Sequence, residues 1–285
     1  MATIHQLLTS AADYLSSSGL ESPREDAELI VATVTRTSRT YLMSHPEESL
    51  SSADTVLAWR WLKKRAGHYP IQYLRGQQEF YGYEFLVTPN VLVPRPETEL
   101  LVDVSLEFLR DRKPPCTVLD IGTGSGCIAI SLLSELPELA VVATDISESA
   151  LAVARANACR NACGDRLRLM CGDVAGPILT HPDGFDLVVS NPPYVAERDR
   201  HLVSTSVAEF EPAGAVFAGK SGLEVIERLF EQVPAVLKSD GFLVLELACG
   251  RDPAISALGR AHRWVQVDLR RDLAGINRCA VFRPG

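Results

Sequence analysis

The sequence predicts an α/β protein in which a doubly wound parallel sheet follows a small N-terminal helical bundle and a β-hairpin linker. Three observations predict it. Apolar residues recur at helical spacing through residues 1–75, aromatic and β-branched residues alternate through 76–95, and from 96 short apolar runs alternate with helical ones across glycine-rich turns. A length of 285 residues suits one or two domains, and 46% hydrophobic with 22% charged residues is the composition of a chain that buries a large core. The domains are therefore drawn at 1–75, 76–95 and 96–285.

In the first segment Ile4, Leu7, Leu8, Ala11 and Leu15 mark one helix face. Glu28–Val31 and Val56–Leu62 seed further helices, separated by turns at Ser22-Pro23 and His45-Pro46. The last of these ends in Arg60, Lys63, Lys64 and Arg65, interleaved with Trp59 and Trp61. Such a cluster is either a solvated face over a Trp-anchored core or a docking surface for an acidic partner. Phe80, Tyr81, Tyr83, Phe85, Val87, Val91 and Val93, broken by Gly82 and Pro89-Asn90, predict a hairpin around the Pro-Asn turn.

Strands are predicted at Thr117–Ile121, Ala140–Asp145, Leu167–Cys171, Phe185–Ser190 and Phe242–Glu246, and helices at Cys127–Leu136 and Ala150–Ala158. A further helix starts at Leu223 with a stripe of Ile226, Phe230, Val233 and Leu237. Trp264–Leu269 and Cys279–Phe282 predict a closing antiparallel pair.

Twenty-eight Lys and Arg against thirty-six Asp and Glu leave a net charge of −8, which repels nucleic acid. No stretch reaches the roughly 18–20 apolar residues of a membrane span, and residues 1–19 lack the basic start of a signal or transit peptide, so a cytoplasmic location is expected. Seven scattered cysteines without a CxxC pair suggest neither a disulfide framework nor a zinc site, and no metal is expected. His181 and His201 read as surface loop residues.

Gly122-Thr123-Gly124-Ser125-Gly126 lies where a buried strand turns into a helix, so backbone N–H groups can face an anionic or polar ligand without a Cβ in the way. Residues 124–129 also satisfy the dinucleotide pattern G-x-G-x-x-A. Asp145 ends the next strand, where a carboxylate can accept both hydroxyls of a ribose. NAD and S-adenosylmethionine both carry such a ribose, and the loop leaves the two open. Asp173 after the third strand is placed for an adenine amino group, with Val174 offering an amide and apolar contact to the ring.

Asn191-Pro192-Pro193-Tyr194 follows the fourth strand directly. Two prolines cannot continue a central ladder, so the chain leaves the sheet as a rigid prong carrying one amide and one aromatic ring. Here the sequence resembles the Rossmann-like class I S-adenosylmethionine-dependent methyltransferases that act on planar amide or amino nitrogens. Residues 70–76, Glu79–Gly82, Val91–Glu99, Phe210-Glu211-Pro212 and Arg271–Gly275 are similar to blocks of the PrmC/HemK family, the glutamine methyltransferases of peptide chain release factors. The chain departs at Ala248 and Ser221, which bears on local loop shape. A sister family acting on a ribosomal protein typically has P-R-S-P where this chain has Pro94-Arg95-Pro96-Glu97.

The resemblance implies transfer of a methyl group from S-adenosyl-L-methionine to the glutamine N5 of a Gly-Gly-Gln loop, with S-adenosyl-L-homocysteine as product. It implies that Gly122, Thr123, Gly124, Ser125, Gly126, Asp145, Asp173, Val174 and Asn191 bind the methyl donor. Asn191, Pro192, Pro193 and Tyr194 would bind the substrate, with the Asn191 side-chain oxygen and the Pro192 carbonyl accepting the amide hydrogens and Tyr194 walling the amide. The helical domain would recognise the release factor, and a monomer is expected. A ribosomal-protein glutamine methyltransferase and an adenine-specific nucleic-acid methyltransferase are the alternatives. The latter needs a basic groove, yet residues 1–90 carry eight Lys and Arg against ten Asp and Glu.

Overall fold

A computed structural model describes residues 2–179 and 184–285; His181 lies outside the described residues. The chain divides into two compact units, the first running to Gly76 and including Thr205–Phe210, the second holding Gln77–Ser204 and Glu211–Gly285.

The first unit contains α1 (Ile4–Ser16), α2 (Pro23–Thr35), α3 (Arg39–Ser44), α4 (Ser52–Ala66), α5 (Ile71–Arg75) and α9 (Thr205–Phe210). Thr3 and Gln6 close a reciprocal capping box at the start of α1, and Pro23 occupies the first turn of α2, where its missing N–H costs nothing. Ile4, Leu7, Ala11 and Leu15 bury one face of α1 against Ile30, Val31, Ala58 and Leu62, with Trp59 and Trp61 packed on that core. Each buried Ile, Leu or Val among them contributes about 2 kcal/mol by leaving water. Of the four basic residues in α4, Arg65 is held inside by Asp26 at 2.8 Å, while Arg60, Lys63 and Lys64 are exposed.

In the second unit the hairpin is formed by β1 (Gln77–Phe80) and β2 (Tyr83–Leu86). Its turn is Tyr81-Gly82, not the predicted Pro89-Asn90. Both residues adopt positive φ, 53° and 76°, the two-residue turn whose twist matches that of paired strands. Pro89-Asn90 falls beyond β2, in the segment leading to α6 (Glu99–Arg110).

The main sheet comprises β3 (Thr117–Ile121), β4 (Ala140–Asp145), β5 (Leu167–Cys171), β6 (Phe185–Ser190), β7 (Leu237–Glu246), β8 (Trp264–Arg271) and β9 (Asn277–Pro284). Its order is β5-β4-β3-β6-β7-β9-β8, with β5 to β7 parallel and β9 antiparallel to both neighbours. Helices α7 (Cys127–Glu135), α8 (Glu148–Arg160), α10 (Ala213–Val216), α11 (Glu224–Gln232) and α12 (Asp252–Ala261) complete the unit. Val118, Leu187, Val189 and Val244 point into one hydrophobic layer and Leu119, Val188, Leu243 and Leu245 into the other. Adjacent residues of one strand are thus buried on opposite faces, as a covered parallel sheet requires.

Two boundaries differ from the sequence reading. Helix α11 stops at Gln232 because Pro234 lies in a 3-10 turn, so Leu237 opens β7 instead of extending the helical stripe. Strand β7 starts before Phe242, with a register shift across Phe185/Leu187 that accommodates the polar stretch Lys238–Gly241. At the amino ends of these strands Asp186 accepts from Thr117 N (2.8 Å), Arg112 (3.1 Å) and Lys238 (2.9 Å). Burial would raise its pKa, but the Thr117 N–H and the Lys238 ammonium outweigh it and hold the carboxyl below its ordinary value.

Candidate active site

From β3 the chain moves outward to β4 and β5, then returns to place β6 on the other side of β3. This reversal is the topological switch point, and open α/β sheets bind ligands outside the carboxyl ends of the strands there. Ile121 pairs with Ser190 and with Thr144, so the glycine turn, Asp145 and Asn191 emerge side by side. Side chains stitch this edge together: Ser190 Oγ donates to Ile121 O (2.7 Å), and Thr144 Oγ1 donates to Val174 O (3.0 Å).

A cavity of about 620 Å³ opens at this edge. Gly122, Thr123, Gly124, Ser125, Asp145, Asp173, Val174, Asn191, Pro192 and Pro193 all line it. Gly126 and Tyr194 are not among the lining residues. A Cβ on Gly126 would come 3.0 Å from Ile130 Cδ1 and 3.3 Å from Ala154 Cβ, so its glycine serves the packing of α7 and α8 behind the turn. Burial, with the charge of Glu246 adding to it, pushes the Tyr194 phenol up to about 12, so it stays neutral.

Asp145 accepts Gly124 N at one oxygen and Ser147 N at the other, both at 2.9 Å. Burial raises its pKa, partly offset by these N–H groups. A carboxylate has about four acceptor positions, so two remain for a diol. A Cβ at Gly122 would meet nothing within 4 Å, which leaves open space beside the turn. Thr123 Oγ1 donates to Asp120 at 2.7 Å beneath it, and burial pushes Asp120 up to about 7. The edge therefore fits the ribose of a nucleoside ligand. Asp173 is already paired with Arg228 at 3.3 Å, so Arg228 belongs to the same wall.

The prong is held from two sides. Val195 N donates to Val216 O, Ala218 N to Val195 O and Glu197 N to Gly219 O (3.1, 2.9 and 2.8 Å), which sets residues 216–219 along it. On the other side Asn191 Nδ2 donates to Thr98 Oγ1 at 3.1 Å, and Thr98 Oγ1 donates to Glu246 Oε2 at 2.7 Å. Glu211 receives Val93 N (3.2 Å) and Arg95 (2.5 Å), which fixes the segment leading to Thr98. Sequence reasoning assigned no role to Thr98, Ile146, Arg228 or Glu246. Thr98 stood in the block Val91–Glu99 that carried the resemblance and Glu246 at the end of a predicted strand, two residues before the departure at Ala248, while Ile146, exposed and lining the cavity next to Asp145, was marked by its position alone.

Fold and site together define a class I methyltransferase. Residues 98–246 match the methyltransferase small domain, and residues 6–76 match the PrmC N-terminal domain. A release factor glutamine methyltransferase of Koribacter versatilis is 40% identical, over 99% of this chain and 98% of that protein. One from Bordetella pertussis is 41% identical over 95% and 98%. A methyltransferase from Pyrococcus furiosus shares the fold, with a TM-score of 0.51, 20% identity and coverage of 72% and 91%. The chain belongs to the release factor glutamine methyltransferase family.

Proposed function

We propose that this protein transfers a methyl group from S-adenosyl-L-methionine to the side-chain amide nitrogen of the glutamine in the Gly-Gly-Gln loop of peptide chain release factors. The observation that carries the reading is Asn191, held at the cavity edge one strand from the glycine turn and two from Asp145. The names of full-length relatives support release factors over a ribosomal protein or nucleic acid.

When bound, S-adenosyl-L-methionine would supply a methyl group on a sulfonium whose sulfur leaves as the neutral thioether S-adenosyl-L-homocysteine, so no general acid is needed, and the methylated amide nitrogen returns to neutrality by releasing one of its two N–H protons to water. Asp145 would take the ribose hydroxyls, the backbone of Gly122–Ser125 would take the methionine end, and Val174 and Ile146 would flank the adenine, with Asp173 at its amino group. An amide nitrogen is a weak nucleophile because its lone pair is shared with the carbonyl. The Asn191 Oδ1 and the Pro192 carbonyl each accept one of its hydrogens, which orients the nitrogen and stabilises the positive charge that grows on it. Pro192 and Pro193 make that geometry stiff, and near-attack placement supplies several kcal/mol of the roughly 8–23 that enzymes remove from a barrier. Tyr194 excludes water behind the prong. The helical region 1–75 acts as the recognition domain, 76–95 as the linker and 96–285 as the methyltransferase domain.

The test is incubation of the protein and unmethylated release factor with labelled S-adenosylmethionine, followed by mass mapping. Label is expected on the glutamine alone. Asn191→Ala should lower turnover by about 100-fold or more while leaving S-adenosylmethionine affinity within about twofold. Label on nucleic acid or on another residue, or full turnover by the variant, overturns the reading.

A further inference from the structure

The side-chain amide of Asn191 has a donor end and an acceptor end, and only the acceptor end serves a substrate that itself presents N–H groups. Thr98 and Glu246, each 2% exposed, decide which end faces the cavity. A threonine hydroxyl has one proton and two lone pairs, whereas an ionised carboxylate only accepts. With Glu246 ionised, the Thr98 proton goes to Glu246 Oε2, and Thr98 Oγ1 is left only to accept. Asn191 must then turn its NH2 group to Thr98, which is the geometry observed, and its Oδ1 away from it.

We propose that Thr98 and Glu246 are positioning residues that hold Asn191 with its oxygen, not its NH2 group, toward the substrate amide. This rests on the assignment of Asn191 Oδ1 as the substrate acceptor. A proton on Glu246 reverses the chain: the carboxyl donates to Thr98 Oγ1, the Thr98 hydroxyl donates its hydrogen bond to Asn191 Oδ1, and the amide presents its NH2 group to the N–H groups of the substrate.

The groups that face Glu246 come from several elements. Arg95, Glu97 and Thr98 lie on the segment before α6, Arg278 and Cys279 on β9, Tyr194 on the prong and Cys127 on α7. Burial pushes the Glu246 carboxyl up to about 7; the Thr98 hydroxyl, Arg278 and Arg95 oppose the shift, and Glu97 adds to it. The switch therefore falls in an accessible pH range.

Steady-state methylation of unmethylated release factor tests the proposal. Thr98→Val keeps the shape and removes the oxygen; its kcat should fall about 10- to 100-fold with S-adenosylmethionine affinity unchanged, and Thr98→Ser should restore most of the rate. Wild-type kcat/KM should fall about tenfold from pH 8 to pH 6, while the residual activity of Thr98→Val stays flat over that range. A fully active Thr98→Val, a Thr98→Ser as impaired as Thr98→Val, or a flat wild-type profile overturns it. If Thr98→Val loses S-adenosylmethionine binding and so fails to fold, the wild-type profile and Thr98→Ser still decide. Asn191→Ala separates the two levels: an active Asn191→Ala removes the underlying reading, whereas an inactive one beside an active Thr98→Val removes only the positioning role.

Discussion

Gly222 sits where the backbone after the prong leaves no room for a side chain. A Cβ there would lie 2.6 Å from Tyr194 O and 3.0 Å from Ala196 N, both backbone atoms, and its φ is +82°. Glu224 holds this turn by accepting the N–H groups of Ser221, Gly222 and Leu223 (2.7, 2.9 and 3.1 Å). Burial would raise the Glu224 pKa, but those N–H groups outweigh it and bring the carboxyl down to about 2. Gly222→Ala should therefore cost the left-handed strain of about 1–2 kcal/mol and displace the prong as well. Gly250→Ala, with φ +73° and nothing within 4 Å, carries the strain alone and is the control. Urea midpoints should fall for both variants, and turnover only for Gly222→Ala; equal turnover would show that the prong tolerates the shift. At this scale the sequence was legible where a residue ends a strand. Asn191 and Asp145 stood out because apolar runs stop at them. The Thr98–Glu246 pairing was not, since 148 positions separate the partners and nothing local marks their contact.

Among elements, the short hairpin β1–β2 is tied to the sheet by Asn157 of α8. Its Oδ1 accepts Leu86 N (2.6 Å), and its Nδ2 donates to Leu86 O (3.0 Å) and Ser125 O (2.8 Å). One fully buried amide thus joins the hairpin to the glycine turn. Asn157→Leu leaves the buried Ser125 carbonyl and the half-buried N–H and carbonyl of Leu86 without this partner and should lower stability by about 3 kcal/mol, with weaker S-adenosylmethionine binding because Ser125 lines the cavity. A urea midpoint and binding affinity equal to wild type would exclude the clamp. The strands β3 to β6 were readable to the residue because each is a short apolar or β-branched run between polar turns; β3 and β6 are buried on both faces, whereas β4 is partly exposed and the edge strand β5 half-buried at best. The hairpin turn was misplaced because Pro89-Asn90 has stronger turn composition than Tyr81-Gly82, whose only local sign is one glycine. Helices α6 and α12 went unassigned: α6 starts directly after the Pro-rich Pro94–Thr98 segment, and α12 has two fully or nearly buried positions, Ile255 and Gly259.

Across the whole second unit, the two ends of the sheet carry opposite electrostatic balances. At the amino end Asp186 is fully paired, with its pKa below the ordinary value. At the carboxyl end Asp145 is raised, and Asp120 and Glu246 are raised to about 7, in each case first by burial. The signs follow from linkage. At pH 8 the folded chain keeps Asp120 and Glu246 charged against their preference, at no such cost in the unfolded chain. As pH falls through 7 these groups take up protons in the folded state, while unfolded carboxyls, with pKa of about 4, do not. Stability therefore rises toward mild acid. Asp186 acts the other way: its contribution is present above the unfolded pKa of about 4 and is lost as pH falls through its folded value. Urea unfolding of the ligand-free protein should accordingly give a stability maximum near pH 5, about 2 kcal/mol or more above that at pH 8. Asp186→Asn should destabilise by about 3 kcal/mol at neutral pH, and the difference should shrink below about pH 4. A stability that climbs steadily to pH 8 would contradict the assignment of uncompensated carboxyls to the site. The activity proposed for Asn191 runs opposite to this curve, because the proton that relieves Glu246 also frees Thr98 to turn the Asn191 amide. Selection for turnover at neutral pH thus keeps a buried charge that selection for stability would remove.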